Sequence, residues 1–123
     1  MKTLSGASFS AAENSFSFNS RRIDKVMQHL NQYFDREITL EEDEKITSMS
    51  EVAFSRFFKN KTAKTFVDTL NEIRLGHASR MLIDTSHNIN EVAYKCGFNN
   101  MSNFNRIFKK KKNCTPKEFR ETY

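Results

Sequence analysis

An arginine lies between aromatic residues in two short segments that match each other almost residue by residue. The segments are residues 54–59 (FSRFFK) and residues 104–109 (FNRIFK). Arginine can donate two hydrogen bonds to O6 and N7 of one guanine, and asparagine can pair in a similar way with an adenine. Placed on the exposed face of a helix, these side chains offer the chemistry that recognises bases in the major groove of DNA.

The match extends beyond these two segments and indicates a duplicated unit. Thr65 matches Thr115 at the same offset of 50 residues, and upstream Glu42 matches Glu91 at an offset of 49. Each copy predicts a short helix, a tight turn and a longer helix, which is the helix-turn-helix arrangement. Gly97 lies in the second turn, where a residue free to adopt positive φ is useful.

Helical periodicity divides the longer helix of the second copy into two faces. Its phenylalanines and Ile107 are expected to face inward. The opposite face carries candidate base contacts, because methionine can also touch a thymine methyl group. These candidates are Met101, Ser102, Asn105 and Arg106. The lysine run Lys109, Lys110, Lys111 and Lys112 that follows suits contacts with phosphates.

Positive charge is concentrated in the last third of the chain. Residues 86–123 contain 8 basic and 3 acidic residues, whereas residues 1–85 contain 12 of each. Such asymmetry favours a polyanionic partner, nucleic acid before an acidic membrane surface. Charge alone is equally compatible with a solvated lysine-rich face.

Membrane insertion and metal binding find no support in the sequence. No apolar run approaches the ~18 residues of a membrane span, and residues 1–20 lack the apolar core of a signal peptide. A cytoplasmic location is therefore expected, with Cys96 and Cys114 reduced. The histidines are scattered and no metal-ligand spacing occurs, so neither a metal nor a cofactor is expected.

The spacing of apolar residues and caps predicts an all-α fold of about seven helices. The first amphipathic helix is expected from Ile23 to Phe34. The fourth, residues 65–85, is apolar on two faces and should lie between two neighbours. Residues 1–20 are interpreted as a linker or the tail of an upstream domain, and residues 21–64 and 86–123 as the two subdomains. The later helices have predicted N-caps at Thr39, Ser50, Thr65, Asn88, Asn100 and Thr115.

Several of these stretches resemble the DNA-binding domain of the AraC/XylS family of bacterial transcription regulators. The most specific are residues 54–59, 70–75 (LNEIRL), 89–98 (INEVAYKCGF) and 104–109 with 115–120 (TPKEFR). The resemblance covers about Arg22 to Arg120. It implies two helix-turn-helix subdomains joined by a long helix, with the third and sixth helices entering successive major grooves of double-stranded DNA.

The resemblance also implies site residues and partners. Position by position, it adds Val52, Ser55 and Arg56 as base contacts of the first unit. Ser50, Lys59, Arg74 and Asn100 join the lysine run as predicted phosphate contacts. RNA polymerase is a further candidate partner. A sensing or dimerisation domain of the kind that usually lies upstream in this family is expected to be absent from this chain.

The first unit departs from the family pattern in its short helix. Asp43 and Glu44 align with the inward-facing Val92 and Ala93 of the second unit. Either both carboxylates lie inward, or the short helix rotates or frays to keep them in water. Ile46 lies about 240° around the helix from Leu40 and is not expected to repair the apolar stripe. Ala63 and Asn113 stand where a turn glycine is frequent, and alanine tolerates positive φ poorly.

Two other classes of function were weighed against DNA binding. A helical protein-interaction module would be expected to expose a large apolar patch rather than a polar face centred on arginine. An enzyme would need a catalytic constellation, and the sequence shows no paired carboxylates, Ser/His/Asp set or glycine-rich phosphate loop at useful spacing. The sequence therefore favours a DNA-binding regulator that is not an enzyme.

Overall fold

A computed structural model describes the backbone of residues 4–123 and the side chains of residues 19–39 and 41–123. These residues form seven helices and no strands, which confirms the all-α prediction. The helices are α1 (Leu4–Tyr33), α2 (Leu40–Thr47), α3 (Glu51–Thr62), α4 (Phe66–Asp84), α5 (Ile89–Lys95), α6 (Met101–Lys112) and α7 (Pro116–Thr122).

The first helix begins earlier than the apolar period predicts. α1 continues upstream to Leu4, into the segment interpreted as a linker or tail, so the predicted start near Ile23 is too late. Residues 4–22 contain one glycine and no proline, and nothing in them interrupts a helix. The first three residues of that segment lie outside the described part of the chain.

Side-chain caps fix where the other six helices begin. Each predicted cap accepts a hydrogen bond from the backbone N–H three residues later, as Ser50 does from Ala53 and Asn100 from Asn103. At Thr39, Asn88 and Thr115 a glutamate also accepts from the N–H of the cap residue, which completes a reciprocal capping box. All six predicted caps are thus confirmed.

Four turn residues adopt positive φ, and they occupy equivalent positions in the two units. Gly97 (φ 96°) and Ser48 (φ 60°) follow the short helices α5 and α2, while Ala63 (φ 64°) and Asn113 (φ 63°) are the C-caps of α3 and α6. A left-handed conformation costs a residue with a Cβ atom about 1–2 kcal/mol. The first unit bears more of this strain, because serine and alanine stand where the second unit has glycine and asparagine.

Two hydrophobic cores share the helix α4. The first core packs Leu70 against buried residues of α1 and α3, and the second packs Leu75, Ala78 and Leu82 against α5 and α6. The predicted apolar faces of the fourth helix therefore do face two neighbours. Phe58 and Leu30 lie at the centre of the first core and Phe104 and Phe108 at the centre of the second, all fully buried.

The short helix α2 differs from its counterpart α5 in which residues face inward. Asp43 is buried and Glu44 is exposed, so each carboxylate follows a different one of the two expected outcomes. Ile46 packs against the first core, so the prediction that it would not repair the apolar stripe is wrong. A roll of α2 about its axis keeps one carboxylate in water and brings an isoleucine inward. Phe57 was also predicted inward; it is only half-buried and lies outside the core cluster, whereas the aligned Ile107 is buried.

The two subdomains meet at the end of α1. Phe34 packs against both cores, and its ring stacks on His77 of α4 at 3.8 Å between ring centres. A Cβ atom built on Gly97 would lie only 2.3 Å from the carbonyl oxygen of Phe34. The turn of the second unit is therefore pressed against the first, and we call the contact among Phe34, Arg74, His77 and Gly97 the junction.

Candidate nucleic-acid interface

Helix α6 presents a continuous polar surface along its outer face. Ser102, Asn105 and Arg106 are exposed and Met101 is half-buried, while Phe104, Ile107 and Phe108 are buried beneath them. The four predicted base contacts thus share one face of one helix. That face can offer two arginine donors, an amide and a hydroxyl to base edges.

A neighbouring amide orients the arginine of this face. Arg106 donates a hydrogen bond from Nη2 to Oδ1 of Asn103, at 2.5 Å. The pair spans one helical turn, where side chains three residues apart are neighbours. Asn103 is absent from the predicted site, although its i, i+3 spacing from Arg106 is visible in the sequence.

The four lysines at the end of α6 are all exposed but point in different directions. Lys109 and Lys112 follow Asn105 at intervals of four and three residues, so they extend the polar face. Lys111 continues the inward stripe instead, and its Nζ lies 3.4 Å from Oε2 of Glu72 on α4. The run therefore contains lysines that lie beside the candidate base contacts and one lysine, Lys111, that is held by α4.

Helix α3 carries the equivalent surface of the first subdomain. Val52, Ser55, Arg56 and Lys59 are all exposed, and Val52 exposes 67% of its surface, which is unusual for valine. They line a shallow depression together with Glu51 and Asn60. Glu51 was not among the predicted contacts, although the offset of 50 aligns it with Met101 and could have identified it.

Two predicted phosphate contacts also serve as helix caps. The side-chain oxygen of Ser50 accepts from the N–H of Ala53 at 3.4 Å, and that of Asn100 accepts from the N–H of Asn103 at 2.8 Å. Both residues are exposed at the N-termini of the recognition helices. Backbone N–H groups at such a terminus, together with the helix dipole, favour a phosphate.

Arg74 lies apart from both surfaces. It is half-buried at the junction, where Nε donates to the carbonyl oxygen of Phe34 at 2.7 Å and Nη2 to that of Arg36 at 2.9 Å. Burial lowers the pKa of its guanidinium. The side chain is already engaged in linking α4 to the end of α1, so this geometry favours a structural role over the predicted phosphate contact.

The arrangement of the two units matches known proteins. A family model of a helix-turn-helix domain, of the AraC type, matches residues 45–122. The chain belongs to the AraC family. It is accordingly a DNA-binding helix-turn-helix domain.

Curated relatives and solved structures agree with this membership. The HTH-type transcriptional activator RhaS of Salmonella schwarzengrund is 29% identical over 103 residues, which are 84% of this chain and 37% of the relative. The AraC-family domain thus spans just over a third of the length of the curated relatives that it matches.

Two solved structures share the fold. The C-terminal domain of AraT, a response regulator from Geobacillus stearothermophilus, has a TM-score of 0.76 and 27% identity, with 83% of this chain and 85% of that chain covered. The DNA-binding domain of the global transcriptional factor AdpA, in complex with a target DNA, has a TM-score of 0.75 and 23% identity, with 81% and 90% covered.

In the described part of the AraC-family domain, no group of three or more His, Cys, Asp or Glu residues could hold a metal ion. None of the described helices has the length and apolar character needed to cross a membrane. Burial raises the pKa of the Cys96 thiol to about 11, so this cysteine carries little of the reactive thiolate near neutral pH.

Proposed function

We propose that this AraC-family domain binds an asymmetric site on double-stranded DNA with α3 and α6 in successive major grooves. The observation that carries the proposal is the pair of equivalent exposed faces, each centred on an arginine, in the two subdomains that α4 joins. The 19 residues of α4 span ~28 Å at 1.5 Å per residue. This length is comparable to the ~34 Å between successive major grooves on one face of DNA.

Base recognition is assigned to the residues on these two faces. They are Val52, Ser55 and Arg56 on α3, and Met101, Ser102, Asn105 and Arg106 on α6. Phosphate contacts are assigned to Ser50, Asn100, Lys59 and the lysines Lys109, Lys110 and Lys112. Regulation of transcription follows from occupancy of the site, as the family membership indicates.

Arg106 tests whether base recognition takes place on α6. Replacing Arg106 by alanine should cost about 1–3 kcal/mol of binding free energy on a site selected from random DNA, and should relax the preference at one base position. Arg80→Ala, which removes an exposed arginine of α4, is the matched control and should change neither quantity. If Arg106→Ala weakens binding to selected and random DNA equally, Arg106 contacts only phosphate.

The lysines at the end of α6 test the phosphate contacts. Changing Lys109 and Lys112 together to glutamine should lower the slope of log affinity against log salt concentration by about 2, or roughly one per phosphate contact. Lys111→Gln should lower that slope less, because Glu72 already holds Lys111 on the other side of the helix. Equal effects at all three lysines would show that the ion pair does not restrain Lys111.

A helical protein-interaction module is the rival function. Both surfaces are dominated by polar and charged side chains, and Val52 is their one strongly exposed large apolar residue among those described. Retention of the purified domain on a DNA column, with elution by salt, separates the two functions. A domain that passes through such a column at low salt does not have the function proposed.

A further inference from the structure

The linker helix α4 carries a side chain that touches both subdomains. Arg74 donates to the carbonyl oxygens of Phe34 and Arg36 in the first subdomain. On its other side the guanidinium carbon lies 5.9 Å from the centre of the Phe98 ring, which belongs to the second subdomain. A Cβ atom at Gly97 would come within 2.7 Å of Nε, so the second turn fits closely around the same group.

The carbonyl groups that Arg74 binds are at the end of α1, where no helical partner remains for them. The last carbonyl oxygens of a helix need hydrogen-bond donors from elsewhere, and a cation near that end is also favoured by the helix dipole. A planar guanidinium with several fixed N–H donors can bind two such oxygens at once, which an ammonium group on a flexible stem does less well. Arg74 therefore fixes the direction of α1 relative to α4.

A second side chain of α4, Glu72, also contacts residues from both subdomains. The carboxylate of Glu72 accepts from Nζ of Lys64 at 2.8 and 2.9 Å, and Nζ of Lys111 lies 3.4 Å from its Oε2. Lys64 precedes α4 and Lys111 belongs to α6. Glu72 thus connects the end of one recognition helix to the linker helix, on a surface where a single ion pair contributes little by itself.

We propose that Arg74 is a positioning residue that sets the separation and angle of α3 and α6. It thereby determines which spacing between the two half-sites the domain accepts. Glu72 contributes to the same positioning more weakly. The inference rests on the proposed function, since spacing matters only if both helices bind DNA together. Arg74 acts through the backbone of α1 and the turn at Gly97 and does not itself touch DNA. Neither residue lies on the surfaces assigned to base recognition.

The test uses DNA in which the two selected half-sites are moved apart or together by one or two base pairs. Each added base pair shifts one half-site by about 3.4 Å and rotates it by about 35°. Wild-type domain should lose at least about tenfold in affinity per base pair of displacement, because a rigid pair of binding modules tolerates little mismatch. Arg74→Lys should reduce that loss to about threefold while single half-sites bind as before. Glu72→Gln should give a smaller change in the same direction, and Arg80→Lys none.

Each result of this experiment either supports or overturns the positioning role of Arg74. A flatter dependence on spacing, with unchanged half-site affinity, supports the positioning role. An unchanged dependence in Arg74→Lys overturns it, and so does an equal loss of affinity on every substrate, which would mean that Arg74 only stabilises the fold. If wild-type domain binds none of the DNA molecules, the proposed function itself has failed, and the two failures are thereby distinguished.

Discussion

Replacing Gly97 by alanine should destabilise the domain by more than about 2 kcal/mol and lower Tm by about 10 °C or more. Two separate costs add at this position. The φ angle of 96° strains any residue that has a Cβ atom. The new methyl group would also meet the carbonyl oxygen of Phe34 at 2.3 Å, which belongs to the backbone and has little freedom to move. Thermal unfolding followed by circular dichroism measures the change.

The chain offers two matched controls for Gly97. Gly76 lies within α4 and has nothing within 4 Å of a built Cβ atom, so Gly76→Ala should stabilise the domain by about 0.5–1 kcal/mol. Gly97→Asn separates the two costs, since asparagine tolerates positive φ but still carries a Cβ atom. If asparagine restores most of the lost stability, the contact with Phe34 is looser than described. A Gly97→Ala domain with the wild-type Tm would contradict the junction altogether.

The second large effect is expected at Asp43, where changing the residue to valine should raise Tm by several degrees near neutral pH. Asp43 exposes only 3% of its surface in the first subdomain, and among the described residues its Oδ1 has no hydrogen-bond partner. A buried carboxylate without a partner destabilises the folded state. Burial accordingly raises the pKa of Asp43 from 3.8 to about 6, helped by Glu42 and opposed by the nearby His29.

The sign of the pH dependence follows from this pKa. Because the folded state holds the proton more tightly than the unfolded state, the stability from protonated Asp43 is fully present below about pH 4 and is lost as the pH rises through about 6. Wild-type domain should therefore be less stable at pH 7.5 than at pH 5.5, by about 0.8 kcal/mol. In Asp43→Val this difference should shrink.

Glu44 is the matched control for Asp43. It is the next residue along the same helix but is exposed, so Glu44→Gln should leave Tm and its pH dependence unchanged. Asp43→Val should also hold α3 more firmly against the first core. Binding to the half-site contacted by Val52, Ser55 and Arg56 should then tighten, with little change at the other half-site. A valine variant with wild-type Tm at both pH values would show that the carboxylate is already accommodated.

The sequence was informative wherever structure depends on neighbouring residues. The caps at Ser50 and Asn100 and the two apolar faces of α4 follow from spacings of three and four residues, and the structure confirms them. The duplicated unit placed both recognition helices for the same reason. Its offset also predicted that Asp43 faces inward, as its counterpart Val92 does.

Features that depend on contacts between distant parts of the chain were harder to predict from the sequence. The alignment left undecided whether α2 rotates to expose its carboxylates, because this rotation is set by how the helix packs on α1 and α3. Arg74 donates hydrogen bonds to backbone carbonyl groups 40 and 38 residues earlier in the chain. The pattern of side chains in a sequence does not reveal such bonds. The contact between Lys111 and Glu72 crosses 39 residues, and a uniform run of lysines conceals it.

A footprint of the domain on a site selected from random DNA tests the central claim most directly, through protection of guanine N7 in the major groove. If α3 and α6 bind together, one monomer should protect two patches on one face of the DNA, separated by about one helical turn of ~10.5 base pairs. Arg106→Ala should remove protection of the guanine that Arg106 contacts and leave the other patch unchanged. A single protected patch per bound monomer, or protection that requires two copies of the domain, would contradict the account.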